Sequence, residues 1–174
     1  WVDADGVEHG GDHVDRMGEL RADFAFQKDI YTNMTIPGSI KNAPLSCFLI
    51  DDDLDDQEIF LIALQQLDKS IRCGFANDGA KAIEQLGEDK AEIPHCIFID
   101  MNMPRMNGIE CLEELKKMDH LRDVPACMFS TSADPSLVAR TRELGAVDFI
   151  VKPADISVLS DMLDQFFKLN VHRR

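Results

Sequence analysis

Five short apolar runs, separated by segments of helical period, constrain the fold of this chain more than any other feature. The runs are CFLI (47–50), IRCGF (71–75), CIFI (96–99), ACMF (126–129) and FIV (149–151). Each is too short for a helix. Most lack the polar–apolar alternation of a half-wet sheet, so they predict strands covered on both faces. Ile59, Ile62, Leu64 and Leu67 mark the face of a first helix, and Ala80, Ala82, Ile83 and Leu86 that of a second. Asn77-Asp78-Gly79 provides turn and cap ahead of the second. Ile109, Leu112 and Leu115 mark a third helix, Leu137, Val138, Thr141 and Leu144 a fourth, and Ile156, Leu159, Leu163 and Phe166 a fifth. Five β/α units in succession predict an α/β, doubly wound parallel sheet with helices on both faces.

The 174 residues are about the length of one domain with some excess, and 45% are hydrophobic, enough for a real core. The excess lies at the start. Residues 1–33 carry eight acids against three bases and four glycines and hold no sustained period, which favours disorder, with a short helix over 14–30 as the one local expectation. Met34 reads as a natural start, so residues 1–45 are expected to be an extension, 46–170 the folded domain and 171–174 a short tail. A formal charge of -14 repels a phosphate backbone, which argues against direct nucleic-acid binding. The chain shows no secretory signal and no apolar stretch of membrane-spanning length, so a cytoplasmic, membrane-free location is expected. The cysteines (Cys47, Cys73, Cys96, Cys111, Cys127) are odd in number with no C-x-x-C pair, and four of them sit among apolar neighbours or at helical core spacing, which predicts small buried hydrophobes rather than disulfides or structural zinc.

In an open parallel sheet, ligands bind beyond the carboxyl ends of the strands. Asp51 and Asp52 follow the first run, Asp100 the third, Ser130 and Thr131 the fourth, and Lys152 the fifth. Three carboxylates crowded on one edge repel one another in isolation, but together they form an oxygen site for a hard divalent cation such as Mg²⁺. A carboxylate beside that cation can act as nucleophile toward phosphorus, with an ammonium and a hydroxyl holding the phosphoryl oxygens.

The motifs DD (51–52), DMNMPRMNG (100–108), STS (130–132) and KP (152–153), in that order, resemble the receiver domain of two-component response regulators, in its stand-alone form. The resemblance covers about residues 46–170 and implies the flavodoxin-like strand order 2-1-3-4-5. It implies that Asp100 accepts a phosphoryl group from a histidine kinase or histidine phosphotransfer protein. Asp51, Asp52, Asp100 and the Asn102 backbone carbonyl would hold Mg²⁺. Ser130, Lys152 and the Thr131 backbone would bind the phosphoryl group, and Ser130 and Phe149 would act as switch residues. Pro153 would follow a cis peptide bond. A downstream protein would dock near the fourth helix, fifth strand and fifth helix, about residues 134–170. Such a protein is not an enzyme in the ordinary sense, although it catalyses its own aspartyl phosphorylation and dephosphorylation.

Several features have plainer readings. Asp53, Asp55 and Asp56 suit a helix N-terminus. Asp51, Asp53 and Asp55 have the 1-3-5 spacing of a calcium loop, but Asp56 and Ile62 stand where that loop needs Gly and Glu. Ser130 suits a turn, Lys152 a strand end and Phe149 the core. Two alternatives remain beside the receiver reading: a degenerate receiver that only binds partners, and an aspartate-nucleophile phosphohydrolase. The second would want an acid two residues beyond Asp100, where the chain has Asn102.

Overall fold

The computed structural model describes residues 44–88 and 91–171. The expected extension up to residue 43, the helix expected over 14–30 and residues 172–174 of the tail lie outside them. The described chain alternates without exception: β1 (Ser46–Ile50), α1 (Leu54–Leu67), β2 (Arg72–Ala76), α2 (Gly79–Gly87), β3 (Cys96–Asp100), α3 (Gly108–Lys117), β4 (Ala126–Ser130), α4 (Pro135–Glu143), β5 (Asp148–Val151) and α5 (Ile156–Asn170). All strand pairings are parallel, in the order β2-β1-β3-β4-β5. Each strand falls within one residue of its apolar run.

Every helix begins on a side-chain cap that accepts backbone N–H groups otherwise left unpaired. Asp53, Asp78, Asn107, Asp134 and Asp155 serve α1 to α5 in turn, and Asn107 forms a reciprocal capping box with Glu110. The caps fix where each strand-to-helix loop ends. Those loops carry the chemistry.

The strands alternate their side chains between two cores. On one face, Phe98 packs edge-on to Phe60 of α1 at 4.9 Å between centroids, and Phe60 also meets Phe129 at 5.5 Å. Phe166 of α5 lies 4.9 Å from Phe98. Phe60, Phe98 and Phe166 are fully buried, and each such ring contributes about 1.5–3 kcal/mol through removal from water. On the other face Ile50, Ile97, Ile99 and Met128 join Ala82 and Leu86 of α2 and Leu112 and Leu115 of α3.

The predicted helix faces need three corrections. In α1 the buried stripe is Gln57, Phe60, Leu61, Ala63 and Leu64, while Ile59 is 37% exposed and Ile62 and Leu67 are half-buried. The segment is apolar nearly all round, so period alone fits two registers. Ala80 sits exposed in the first turn of α2. In α4 only Thr141 is buried, and Leu137 faces solvent. The five cysteines are all buried and free, as expected. Cys73, Cys47 and Cys96 stand in register on three adjacent strands.

Candidate functional site

The carboxyl end of the sheet gathers the predicted acids. Asp51 directly follows β1, where its N–H extends the ladder by donating to Ala76 O at 3.0 Å. Asp51 and Asp100 are buried while Asp52 faces solvent, and the three can place one carboxylate oxygen each within 4.8 Å of one another. One Asp51 oxygen accepts from Asp53 N–H at 3.0 Å, and one Asp100 oxygen from Asn102 N–H at 2.7 Å. The remaining oxygens turn toward Lys152.

Lys152 follows β5 and reaches under the acids with a side chain only 10% exposed. Its Nζ lies 2.8 Å from Asp51 Oδ2, 2.7 Å from Asp100 Oδ1 and 2.7 Å from Asp56 Oδ2. It also stands 5.0 Å from the centroid of the Phe129 ring. Burial works against its charge, but the hydrogen bonds to Asp100, Asp51 and Asp56 outweigh burial and hold the ammonium above its ordinary pKa. Burial acts the opposite way on Asp51, pushing its carboxyl up to about 6 despite the pull of Lys152.

Ser130 is buried at the end of β4, and its carbonyl accepts from Lys152 N–H at 2.7 Å. Its hydroxyl accepts from Ser132 N–H at 3.4 Å, so the structure pairs Ser130 with its own loop and Asp100 with Asn102 and Lys152. Thr131 is exposed beside it and Asn102 beside Asp100. Phe149 is half-buried on β5, opposite Met128, and packs against the core shared with α2 and α3. The expectation for Pro153 is corrected: among the described residues every peptide bond is trans. Trans is the preferred state of an X–Pro bond by about 0.5–1 kcal/mol, and with it Lys152 already reaches all three carboxylates.

Three contributors were not singled out from the sequence. Asp56, read only as a helix-terminal acid, is a direct partner of Lys152. Gln57, fully buried, donates through Nε2 to the Asp51 carbonyl and at 3.1 Å to Asn77 Oδ1, tying the loop after β1 to the loop after β2. Its signal was a polar residue at helical spacing from Phe60, Leu61 and Leu64. Gly108 is the third: its N–H donates to Met101 O at 3.0 Å, and a Cβ there would lie 2.4 Å from the Asp100 carbonyl oxygen. Only glycine lets α3 start so close to the strand end.

A doubly wound parallel sheet with an acid trio and a buried lysine at its carboxyl edge defines the class: an α/β domain with a charged pocket beyond its strand ends. The chain belongs to the response regulator receiver domain family, whose model matches residues 47–164. It is 28% identical over 116 residues to the two-component response regulator ORR3 of Oryza sativa subsp. indica, covering 67% of this chain and 86% of that one. It is 33% identical to protein-glutamate methylesterase/protein-glutamine glutaminase 1 of Caulobacter vibrioides, covering 70% of this chain but only 34% of that larger protein. Among solved structures, the phosphorylated cyanobacterial phytochrome response regulator RcpA superposes with a TM-score of 0.66 at 25% identity, over 74% of this chain and 94% of that one. The Mn(2+)-bound response regulator Rcp1 shares the fold, with a TM-score of 0.65 at 21% identity over 75% and 97%. Among the described residues no helix is long and apolar enough to cross a membrane.

Proposed function

We propose that this receiver accepts a phosphoryl group on Asp100 from a histidine kinase or histidine phosphotransfer protein, and that the modification changes which partner it binds. The observation that carries the reading is the convergence of Asp51, Asp100 and Lys152 from three separated strand ends within hydrogen-bonding distance. Asp100 Oδ1 attacks the phosphorus of the donor phosphohistidine; the O–P bond forms, the N–P bond breaks and the imidazole leaves with the bond electrons. A carboxylate attacks without giving up a proton, so the step calls for no general base. Asn102 N–H holds the second carboxylate oxygen, which fixes the plane of attack. The Lys152 ammonium supplies charge to the phosphoryl oxygens, and Ser130, whose hydroxyl oxygen accepts from Ser132 N–H, has its own O–H to donate.

The donor set fits a hard cation, since Asp51, Asp52 and Asp100 offer only oxygen atoms. Mg²⁺ held there, with the Asn102 carbonyl beside it, would neutralise charge on the transferring group. The same residues serve release of phosphate to water, so the catalysis is the chain's own phosphorylation and dephosphorylation. Phe149, half-buried on the edge strand, would turn with Ser130 as the phosphoryl group draws on its hydroxyl. The surface this alters is α4, β5 and α5, where Leu137, Val151 and Val158 face solvent. A partner that prefers one arrangement shifts the population toward it.

Intact mass after incubation with phosphoramidate and Mg²⁺ tests the reading. One added phosphoryl group, absent without Mg²⁺ and in Asp100→Asn, is the expected result. A folded wild-type chain that gains no mass under any condition is instead a partner-binding module.

A further inference from the structure

An ammonium has three N–H donors. Lys152 donates to Asp51 at 2.8 Å and to Asp56 at 2.7 Å, and its Nζ pairs with Asp100 at 2.7 Å. Asp51 and Asp100 belong to the trio that can hold a cation, and Asp56 does not. Nor does the Asp56 carboxylate cap its helix, since Asp53 does that and accepts from the Asp56 N–H. The Asp56 side chain is 30% exposed in the first turn of α1, yet it turns back to a lysine 96 residues away.

We propose that Asp56 is a positioning residue, a resting-state counter-ion that holds the Lys152 ammonium until a phosphoryl group takes it over. The inference rests on the phosphoryl-accepting reading above. A phosphoryl oxygen arriving at Asp100 needs the Lys152 ammonium, which three carboxylates already crowd within 2.8 Å, so one of them must give way. Asp100 becomes a weaker acceptor as its oxygen is esterified, and Asp51 is shared with the cation. Asp56 alone keeps an undivided charge and competes through a charge-assisted bond. A fourth carboxylate also repels the incoming dianion. Both effects have one sign: Asp56 lowers the pocket's affinity for the phosphoryl group and thereby sets the threshold for phosphorylation.

The probe is beryllofluoride, a phosphoryl mimic, titrated at saturating Mg²⁺ and followed by ¹⁹F NMR of the full chain. Asp56→Asn removes the charge at nearly constant size, and Asp56→Ala removes the acceptor too. Both are expected to tighten beryllofluoride binding on the order of tenfold, the scale of one charged hydrogen bond. Mg²⁺ binding without the mimic is expected not to tighten in either variant, which separates this effect from a general change in the pocket. A variant that only loosened α1 would weaken both. Wild-type binding that Asp56→Asn and Asp56→Ala leave unchanged or weaken would overturn this inference alone. A folded wild-type chain that takes neither beryllofluoride nor a phosphoryl group would overturn the receiver reading and this inference with it.

Discussion

The Arg105 guanidinium lies 2.6 Å from the Asp78 carboxylate, linking the loop after β3 to the cap of α2. Asp78 is 3% exposed and Arg105 70%, so the acid is the buried partner. Arg105 adopts φ 70°, a left-handed backbone that suits glycine better. Two effects therefore oppose each other at position 105. Arg105→Ala loses the ion pair and keeps the backbone cost, whereas Arg105→Gly loses the pair and relieves that cost. The glycine variant should be more stable than the alanine variant by about 1 kcal/mol, read from urea denaturation midpoints. Equal stability would mean that the left-handed turn costs nothing there.

Cation binding should depend on pH through Asp51. Its folded pKa of about 6 lies above the unfolded 3.8, so without a cation the proton stabilises the fold below 3.8 and that contribution is lost as pH rises through 6. Mg²⁺ must displace the same proton, so its apparent affinity should fall toward tenfold per pH unit below about 6. The Mg²⁺-induced rise in Tm should be larger at pH 7 than at pH 5. Asp51→Asn should remove most of that difference.

Gly108→Ala should destabilise the domain by about 1–3 kcal/mol, because the added methyl meets backbone that cannot rotate away. The Asp100 carbonyl would be 2.4 Å from it and the Met101 Cα 2.9 Å. The same shift would move Asp100, so under the proposed function the variant should also be phosphorylated more slowly at a temperature where it remains folded. Normal kinetics in a destabilised protein would show that α3 yields instead of β3.

Burial pushes the Cys111 thiol up to about 12 and raises Cys73, Cys96 and Cys127 well above their ordinary value. In the unfolded chain these thiols ionise near pH ~8.5. The folded state thus binds more protons above that point, and each thiol's contribution to stability is lost at up to about 1.4 kcal/mol per pH unit as pH rises. Denaturation at pH 8 and 10 should show the loss, and Cys111→Ala should reduce its slope. Native protein at pH 8 should react with a thiol-disulfide reagent only at the rate at which it opens.

The strands were legible because both faces are covered, which leaves an uninterrupted apolar run as the signature. The site was legible because a parallel sheet puts its chemistry just beyond those runs, where Asp51, Asp100 and Lys152 stand. Helix rotation was harder to read. In α1, Ile59 and Phe60 are both apolar, and the edge-on contacts of Phe60 with Phe98 and Phe129 decide which one turns inward. Asp56 was illegible for a different reason: four acids crowd the start of α1, and nothing in their order says which one a lysine 96 residues later will reach. Gln57 and Arg105 act between loops, through contacts that no local period encodes.

The pocket joins the first strand to the last, since Asp51 and Lys152 are separated by 101 residues. A chain emerging in order presents its acids long before the cation that balances them. Until β5 docks, the carboxyl end of the sheet holds mutually repelling charges with no ammonium among them. The last of the five described strands to be synthesised is therefore the one that completes the pocket, so a chain interrupted before β5 leaves Asp51 and Asp100 without Lys152. The pocket's charge balance is acquired late, with the closing of the sheet.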